Sequence, residues 1–354
     1  MASIDLPPGF ISFGDDYSML FWKCIPIWVI GRLRGLFGSA GSACASLSAV
    51  DTHPFLCYDT DSKQPHSVQR GGNMIHLTNG ILSAEISEIG AEIKSLKKDG
   101  CEYMWSGDPQ VWGNTAPVLF PIIGFMKDNR YTLDGTTYEM TKHGLVRGKE
   151  FAVENVTDTS VTLLYTHNEQ TMQMYPFAFE FRVIFTLVDH SLKVEYRVNN
   201  LNDREMYFST GSHEAYATPE GVENYDILFP HKEDLETYLL AGGLLQKKTM
   251  TVGKNTEYLP IYETYFALDT LIFKHLRSKA LILKNRKTER TIQVEFPDCD
   301  YLGIWHKPGA PYLCIEPWAG LPDNEDTDQD ITGKEGIIAL PPHKEYSNIH
   351  TITV

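Results

Sequence analysis

Residues 179–198 read FEFRVIFTLVDHSLKVEYRV, and this stretch decides the fold class of the chain. Apolar side chains occupy every second position from Phe179 to Leu187 and again from Leu192 to Val198. Most of the positions between them carry charged or polar side chains. An alternation with a period of two is typical of strands that bury one face and expose the other to water. The stretch therefore predicts two half-buried strands.

The same alternation extends outward along the chain in both directions. It is found at Leu82–Ile86, Ala280–Lys284, Thr291–Phe296, Tyr301–Trp305, Tyr312–Ile315 and Ser347–Val354. The dipeptide Asp134-Gly135 predicts a two-residue hairpin turn, because Asp-Gly supplies the positive φ angles that such a turn needs. Helical patterning is confined to Thr171–Tyr175 and Glu233–Leu240. Many strands and few short helices predict an all-β fold, a large sandwich of antiparallel sheets.

The alternation begins near Met74, which predicts one domain over residues 74–354 and a separate segment over residues 1–73. In that segment, the apolar run at Met19–Ile30 is too short to span a bilayer, because a spanning helix needs about 20 apolar residues. Small residues follow at Gly38–Ala49. Three interpretations of residues 1–73 stay open: a poorly ordered or extraneous segment, a targeting segment, or a short helix docked on the domain.

Charge limits the classes of partner that this chain can bind. The 354 residues carry a formal net charge of −15. An acidic surface repels phosphate backbones and anionic lipids, so we expect no nucleic-acid partner and no membrane partner. A small, neutral molecule rich in hydroxyl groups, such as a sugar, is compatible with this charge. The sequence leaves the oligomeric state open.

Cysteine usage bears on metal binding and on cellular location. The six cysteines show no CxxC spacing, and no Cys/His cluster has the spacing of a zinc site. This usage favours reduced thiols in a cytoplasmic protein without a bound metal. The sequence contains no nucleotide-binding loop, so we also expect no cofactor.

Three polar clusters combine histidine or glutamate with glycine, which lets a ligand approach the backbone closely. They are Lys142–Gly148, Ser209–Tyr216 and Cys314–Gly320. A single histidine in such a protein is more often structural than catalytic, and Glu316 could be either at the sheet surface or buried and paired. Trp305 and Trp318 could belong to the core. Aromatic rings beside acids also build sugar sites, since the C–H face of a sugar packs on a ring.

Together the clusters resemble the galactose mutarotase (aldose 1-epimerase) family, in its LacX-like branch. The resemblance covers nearly all of residues 74–354, and it implies the large antiparallel β-sandwich of that family. The residues that carry it, in chain order, are Pro117–Gly124, His143-Gly144, Gly211–His213, Phe266–Phe273 and Ile315–Gly320, with support from Gly303–Trp305 and Lys334–Gly336.

The resemblance implies a role for each matching residue. His213 would be the general acid that protonates the ring oxygen of an aldose, and Glu316 the general base that takes the proton of the anomeric hydroxyl. His143 and Asp269 would hold sugar hydroxyls. Trp305 and Trp318 are expected to contact the sugar. An imidazole and a carboxylate suffice for such ring opening near neutral pH, without a cofactor or metal.

Two positions depart from the family pattern. The family usually has an arginine soon after the Pro-Ile-X-Gly turn, whereas Phe125 follows Gly124 here. We expect Lys127 or Arg130 to take its place, or the contact to be absent. The second departure is Glu214, next to the proposed acid. Its carboxylate either raises the pKa of the neighbouring histidine or points to solvent.

Other functions stay open beside the interconversion of α and β hexose anomers. A hexose-6-phosphate 1-epimerase would need basic residues at the site, and the candidates are Lys127, Arg130, Lys142 and Arg147. A non-catalytic carbohydrate-binding or sensing protein could use the same fold. A glycoside hydrolase is less favoured, because hydrolysis usually needs two carboxylates that flank the bond.

Overall fold

The structure is a computed structural model, and it describes residues 70–354. The apolar run at Met19–Ile30 and the small-residue stretch at Gly38–Ala49 lie outside the described residues. The interpretations of that segment, and the domain boundary at Met74, therefore stay predictions. Regular structure in the described part begins with a short strand at Arg70–Gly71. Within residues 70–354, no helix is both long enough and apolar enough to cross a membrane.

Strands dominate the described chain. Numbered in chain order, they are β1 Arg70–Gly71, β2 Met74–Thr78, β3 Leu82–Ser87, β4 Ile93–Lys98, β5 Cys101–Glu102, β6 Val118–Leu119, β7 Arg130–Leu133, β8 Thr136–Glu139, β9 Ala152–Val156, β10 Ser160–Thr166, β11 Phe179–Val188, β12 Ser191–Asn200, β13 Met206–Phe208, β14 Thr210–Ser212, β15 Glu214–Ala217, β16 Tyr225–Ala241, β17 Leu244–Pro260, β18 Leu271–Phe273, β19 Ala280–Asn285, β20 Thr291–Glu295, β21 Tyr301–Trp305, β22 Tyr312–Ala319, β23 Ile338–Leu340 and β24 Glu345–Thr353. Helices are short: α1 Glu169–Met174, and 3-10 turns at Lys127–Asn129, Val222–Asn224, Glu263–Leu268 and Ile331–Gly333.

One large sheet contains most of these strands. Its order is β6-β14-β22-β21-β18-β16-β19-β20-β24-β12-β11-β10-β9, with β15 paired to β22 and β17 paired to β16. A second sheet contains β1 to β5 in chain order, and β7-β8 and β13-β23 form two-stranded pairs. The strands of both large sheets pair antiparallel. This architecture confirms the prediction of a large antiparallel β-sandwich with few short helices.

The stretch 179–198 forms β11 and β12, as its alternation predicts. Phe181 lies opposite Val198, and both are fully buried. Glu180 and Arg182 point to the other face, where they form a salt bridge with each other at 2.8 Å. The Phe181 ring stacks on Phe120 at 4.5 Å between centroids. Each buried aromatic or aliphatic side chain of this kind contributes about 1.5–3 kcal/mol, which fixes the inward face of the strand pair.

The predicted hairpin and the first predicted helix are confirmed. β7 and β8 pair with Leu133 opposite Thr136, and Asp134 and Gly135 between them both have positive φ angles, 51° and 77°. The helix α1 overlaps the predicted Thr171–Tyr175. The Asn168 side chain accepts hydrogen bonds from two backbone amides of its first turn, which stabilises the start of so short a helix.

The prediction of a helix at Glu233–Leu240 is wrong, because this stretch is the second half of β16. Glu233, Leu235 and Thr237 are buried at every second position, which is the period of a strand. The buried Glu233 carboxylate accepts hydrogen bonds from the Ser278 hydroxyl at 2.6 Å and from its backbone amide at 2.7 Å. These partners are distant in sequence, so local composition could not reveal that a glutamate faces inward here.

Candidate active site

Strand register brings His213 and Glu316 together. In the pairing of β14 and β15 with β22, Gly211 lies opposite Trp318 and Glu214 lies opposite Ile315. His213 connects β14 to β15, so the same register places it opposite Glu316. The two side chains therefore lie on one face of the sheet, although 102 residues lie between them in the sequence.

That face forms part of the wall of a cavity of about 680 Å³. Eight of the candidate residues selected from the sequence line it: His143, His213, Asp269, Trp305, Glu316, Trp318 and the two cations Lys142 and Arg147. Lys127 and Arg130 do not. The other lining residues are Trp112, Pro117, Gly124, Phe125, Leu240, Gly243, Phe266, Thr270, Ile272, His306, Lys307, Pro308 and Pro322. A mostly apolar cavity with a few convergent polar groups is the usual form of a small-molecule site.

The imidazole of His213 and the carboxylate of Glu316 lie close without bonding to each other. Nδ1 of His213 is 3.6 Å from Oε1 of Glu316, beyond hydrogen-bond distance. Glu316 is 1% exposed and the His213 side chain 12% exposed. Neither of these two atoms has a hydrogen-bond partner among the described residues. An unpaired buried polar atom costs about 1–3 kcal/mol, so the fold tolerates an arrangement that it does not satisfy.

Burial sets the charge of this pair. It lowers the pKa of His213 to about 3, and the positive charges of Lys142 and Arg147 add to the effect. Burial also raises the pKa of Glu316 well above its usual range, although the charge of Lys142 opposes that change. Both shifts have the same cause, since a buried site disfavours the charged form of each group. The two shifts favour a protonated Glu316 carboxyl group beside a neutral His213 imidazole.

His143 presents a neutral ring to the same cavity. Its Nδ1 accepts a hydrogen bond from the Gly124 backbone amide at 3.1 Å, and burial keeps its pKa well below the usual range. The remaining nitrogen, Nε2, therefore carries the hydrogen and can donate it to a ligand. Gly144 permits this placement: its φ is 84°, and a Cβ there would lie 2.2 Å from the Phe120 carbonyl oxygen.

Trp318 lies flat on the sheet because glycines leave room for its indole. A Cβ on Gly303 or on Gly211 would lie 2.7 Å from the Trp318 ring. The indole Nε1 donates a hydrogen bond to the Ser212 carbonyl oxygen at 3.2 Å. The Trp318 ring, two residues after Glu316 on β22, thus borders the cavity.

With this geometry in place, comparison with known proteins identifies the family. The sequence model of the family described as aldose 1-epimerase matches residues 73–329, which include every cavity-lining residue named above. The chain belongs to the aldose 1-epimerase family.

Individual relatives agree with this assignment. Protein LacX from Lactococcus lactis subsp. lactis is 30% identical over 304 residues, which cover 79% of this chain and 99% of LacX. The solved structure of a galactose mutarotase related enzyme from Lactobacillus acidophilus is 33% identical, with a TM-score of 0.76 and coverage of 79% of this chain and 96% of that chain. That of a galactose mutarotase-like protein from Lactobacillus casei is 28% identical, with a TM-score of 0.75 and coverage of 79% and 99%.

The cation beside Phe125 in this aldose 1-epimerase family member is neither of the two expected from the sequence. Lys127 donates to the backbone carbonyl of Glu325, and Arg130 forms a salt bridge with Asp128. Lys142 instead places its Nζ 5.0 Å from the centre of the Phe125 ring. A lysine over an aromatic face is attracted by the ring quadrupole, so the phenylalanine itself helps to position this charge at the cavity.

Glu214 neither points to solvent nor raises the pKa of His213, the two outcomes expected from the sequence. It points into the core, where its Oε1 lies 2.7 Å from Nε2 of His350 and both side chains are 2% exposed. Successive side chains of a strand point to opposite faces, so Glu214 faces away from the cavity that His213 lines. The pKa of His213 is lowered, not raised, because burial outweighs any effect of this neighbouring carboxylate.

Sequence analysis missed several cavity residues. The Trp112 ring lies 5.2 Å from the His213 ring, and Trp305 lies 5.7 Å from it on another side. Trp112 belongs to the irregular stretch between β5 and β6, where no alternation indicates which way a side chain faces. The same holds for Lys307, just after β21. Lys142 and Arg147, in contrast, belong to the cluster Lys142–Gly148, which the sequence analysis had selected.

Proposed function

We propose that this chain is an aldose 1-epimerase that interconverts the α and β anomers of a hexose, with His213 as general acid and Glu316 as general base. The observation that supports this most directly is their 3.6 Å approach in the wall of a cavity of about 680 Å³. Family membership points to the same chemistry. A pyranose is small enough for this cavity, and aromatic side chains border both members of the pair.

Ring opening needs proton transfer at two oxygens that are bonded to the same carbon. Glu316 takes the proton of the anomeric hydroxyl, His213 gives a proton to the ring oxygen, and the bond between the anomeric carbon and the ring oxygen breaks. The open aldehyde rotates about its C1–C2 bond and closes on the other face, with the two roles reversed. Two groups side by side meet this requirement, whereas groups on opposite walls would not.

Before the ring opens, the proton of the Glu316 carboxyl group has to move to the imidazole of His213. Hydroxyl groups of a bound sugar donate hydrogen bonds to the Glu316 carboxylate and so favour its charged form. The proton then resides on His213, which faces the ring oxygen. His143 donates from Nε2 to another hydroxyl, and Asp269 at the cavity wall accepts from a further one. No step requires a cofactor.

The test is direct measurement of anomer exchange for glucose and galactose by NMR in weak buffer. Glu316→Gln and His213→Ala should each lower the rate constant by about 10²–10⁴-fold, because each removes one proton-transfer group. Glu289→Gln and His190→Ala are matched controls on exposed residues and should keep the wild-type rate. If wild-type protein binds sugar but does not accelerate exchange, the chain is a carbohydrate-binding protein, and this proposal is wrong.

A phosphorylated hexose is the second candidate substrate, and the cations of the cavity favour it. Lys142, Arg147 and Lys307 line the cavity, against two carboxylates, Asp269 and Glu316. Neither Lys142 nor Arg147 forms a salt bridge with any described residue. Cations at the cavity wall without a salt-bridge partner suit an anionic ligand.

Comparing glucose with glucose 6-phosphate separates the two candidates. If the phosphorylated sugar is the substrate, its kcat/KM exceeds that of glucose, and Lys142→Met reduces this preference by about tenfold or more. Lys127→Met removes a cation that lies outside the cavity and should leave the preference unchanged. Equal kcat/KM values for the two sugars in the wild type would assign the cations no role in substrate choice.

A further inference from the structure

The strand face that carries Glu316 also carries a thiol that epimerisation does not use. Cys314 precedes Glu316 by two residues on β22, so the two side chains point to the same face. Cys314 is a free thiol and fully buried. Its neighbours across the strands are Ala215 on one side and Trp305 on the other. Neither neighbour offers the thiol a carboxylate or an amide to bond.

The three side chains have the spacing of metal ligands. One ligand atom each of His213, Cys314 and Glu316 lies within 4.8 Å of the others. In a tetrahedral zinc site with bonds of about 2.0–2.3 Å, ligand atoms lie about 3.3–3.8 Å apart. The 3.6 Å between Nδ1 of His213 and Oε1 of Glu316 already falls in that range. The Cys314 sulfur lies within 4.8 Å of the other two ligand atoms, so a side-chain adjustment can complete the set.

The same atoms lack other partners. Nδ1 of His213 and Oε1 of Glu316 are both buried and without a hydrogen bond among the described residues. An ion placed between them would satisfy both lone pairs at once. The set of one imidazole, one thiolate and one carboxylate suits Zn2+ and similar borderline-soft ions, not Mg2+ or Ca2+, which prefer oxygen ligands.

We infer that His213, Cys314 and Glu316 form a binding site for a divalent cation of the Zn2+ class. The bound ion inhibits the enzyme by holding the acid and the base, and this second part rests on the proposed function. The ion takes three ligands from the protein and leaves its fourth position to water. Cys314 binds as thiolate and releases its proton to solvent. Anomer exchange itself proceeds without the ion, so the site is inhibitory and not catalytic.

Absorption with Co2+, a spectroscopic substitute for Zn2+, tests the site without any activity measurement. The full-length wild-type chain should bind Co2+ with a thiolate-to-metal charge-transfer band, and Zn2+ should displace the ion and abolish the band. Cys314→Ala should lose this band, whereas Cys101→Ala, which removes an exposed thiol elsewhere, should keep it. Glu316→Gln keeps the shape of the side chain and should weaken Co2+ binding on the order of 100-fold, since it removes a charged ligand.

Inhibition provides the second measurement. Zn2+ should slow anomer exchange reversibly, and a chelator should restore the rate. With each variant compared to its own metal-free rate, Cys314→Ala should require on the order of 100-fold more Zn2+ for the same inhibition. The same Co2+ band in wild type and Cys314→Ala would overturn the inference. A Co2+ band that depends on Cys314 in a protein without epimerase activity would refute the proposed function and leave the metal site intact.

Discussion

At the scale of single residues, the burial of Glu316 ties the chemistry of the cavity to the stability of the fold. Burial raises the pKa of Glu316 well above its usual range, whereas in the unfolded chain the group titrates near its ordinary value. The folded state therefore binds this proton more tightly than the unfolded state does. Stability from this group is fully present below the unfolded pKa and is lost as pH rises toward the folded pKa.

Glu316→Gln should therefore become more stable relative to wild type as pH rises. Glutamine resembles the protonated carboxyl group and does not ionise, so the variant escapes this loss. As pH rises above the ordinary value of 4.5, the difference in unfolding free energy should grow by up to about 1.4 kcal/mol per pH unit until the folded-state pKa is reached. Urea unfolding at a series of pH values measures it. Glu289→Gln, on the exposed surface, should show no such trend, and a flat difference for Glu316→Gln would contradict the assignment.

The lowered pKa of His213 makes a second prediction, on the pH dependence of catalysis. The pair works with one proton, so activity falls when it gains a second proton, and that requires protonation of His213 near pH 3. Hence kcat/KM, which reports the free enzyme, should stay level from about pH 5 to about pH 7.5, without an inflection at the ordinary histidine value near 6.5. Anomer exchange measured by NMR across this range decides it.

A variant of Lys142 tests the electrostatic cause of that shift. The positive charge of Lys142 lowers the pKa of His213, so Lys142→Met should move the acid limb of kcat/KM to higher pH. Lys142→Arg keeps the charge and should keep the wild-type limb. Identical profiles for wild type and Lys142→Met would leave burial and the charge of Arg147 as the causes of the shift.

At the scale of elements, local pattern and tertiary contacts contributed unequally to what the sequence could predict. The strands β21 and β22, which carry part of the site, were predictable, because their apolar residues alternate with others or follow turn-forming residues in the sequence. The inward-facing half of β16 was not predictable, since the buried Glu233 carboxylate is satisfied by groups of Arg277 and Ser278 that are distant in sequence. Trp112 was missed for a related reason: an irregular stretch has no period from which its direction could be derived.

The glycine of β21 supports a prediction at this scale. Gly303→Ala should displace the Trp318 ring, because a Cβ there would lie 2.7 Å from it. We expect a loss of stability of about 1–3 kcal/mol, as for other overpacked sites, together with a lower kcat/KM. Gly333→Ala is the matched control, since a Cβ at that glycine has nothing within 4 Å. Thermal unfolding and sugar anomer exchange provide the two measurements. Wild-type behaviour of Gly303→Ala would show that the indole does not need this space.

At the scale of the whole molecule, the last strand joins two parts of the large sheet. β24 pairs with β20 on one side and with β12 on the other, so it links the part that contains the cavity to the part that contains β9 to β12. The alternation of residues 347–354 predicted a strand there, but no local feature indicates its place between strands that lie far apart in sequence. Strand order depends on long-range pairing, which one sequence does not display.

Because β24 joins the two parts of the large sheet, we expect these two parts to unfold together. Ile352 is fully buried between Leu192 and Val294, its partners on the two neighbouring strands. Ile352→Ala should cost about 2–5 kcal/mol, through lost burial and the cavity that remains. Because the strand is shared, amide hydrogen exchange followed by mass spectrometry should accelerate together in β10–β11 and in β21–β22. Thr351→Ala, on the opposite face of the same strand, should cost less than about 1 kcal/mol. Faster exchange in only one of the two regions would mean that they unfold independently, and β24 would then not be the link that the topology indicates.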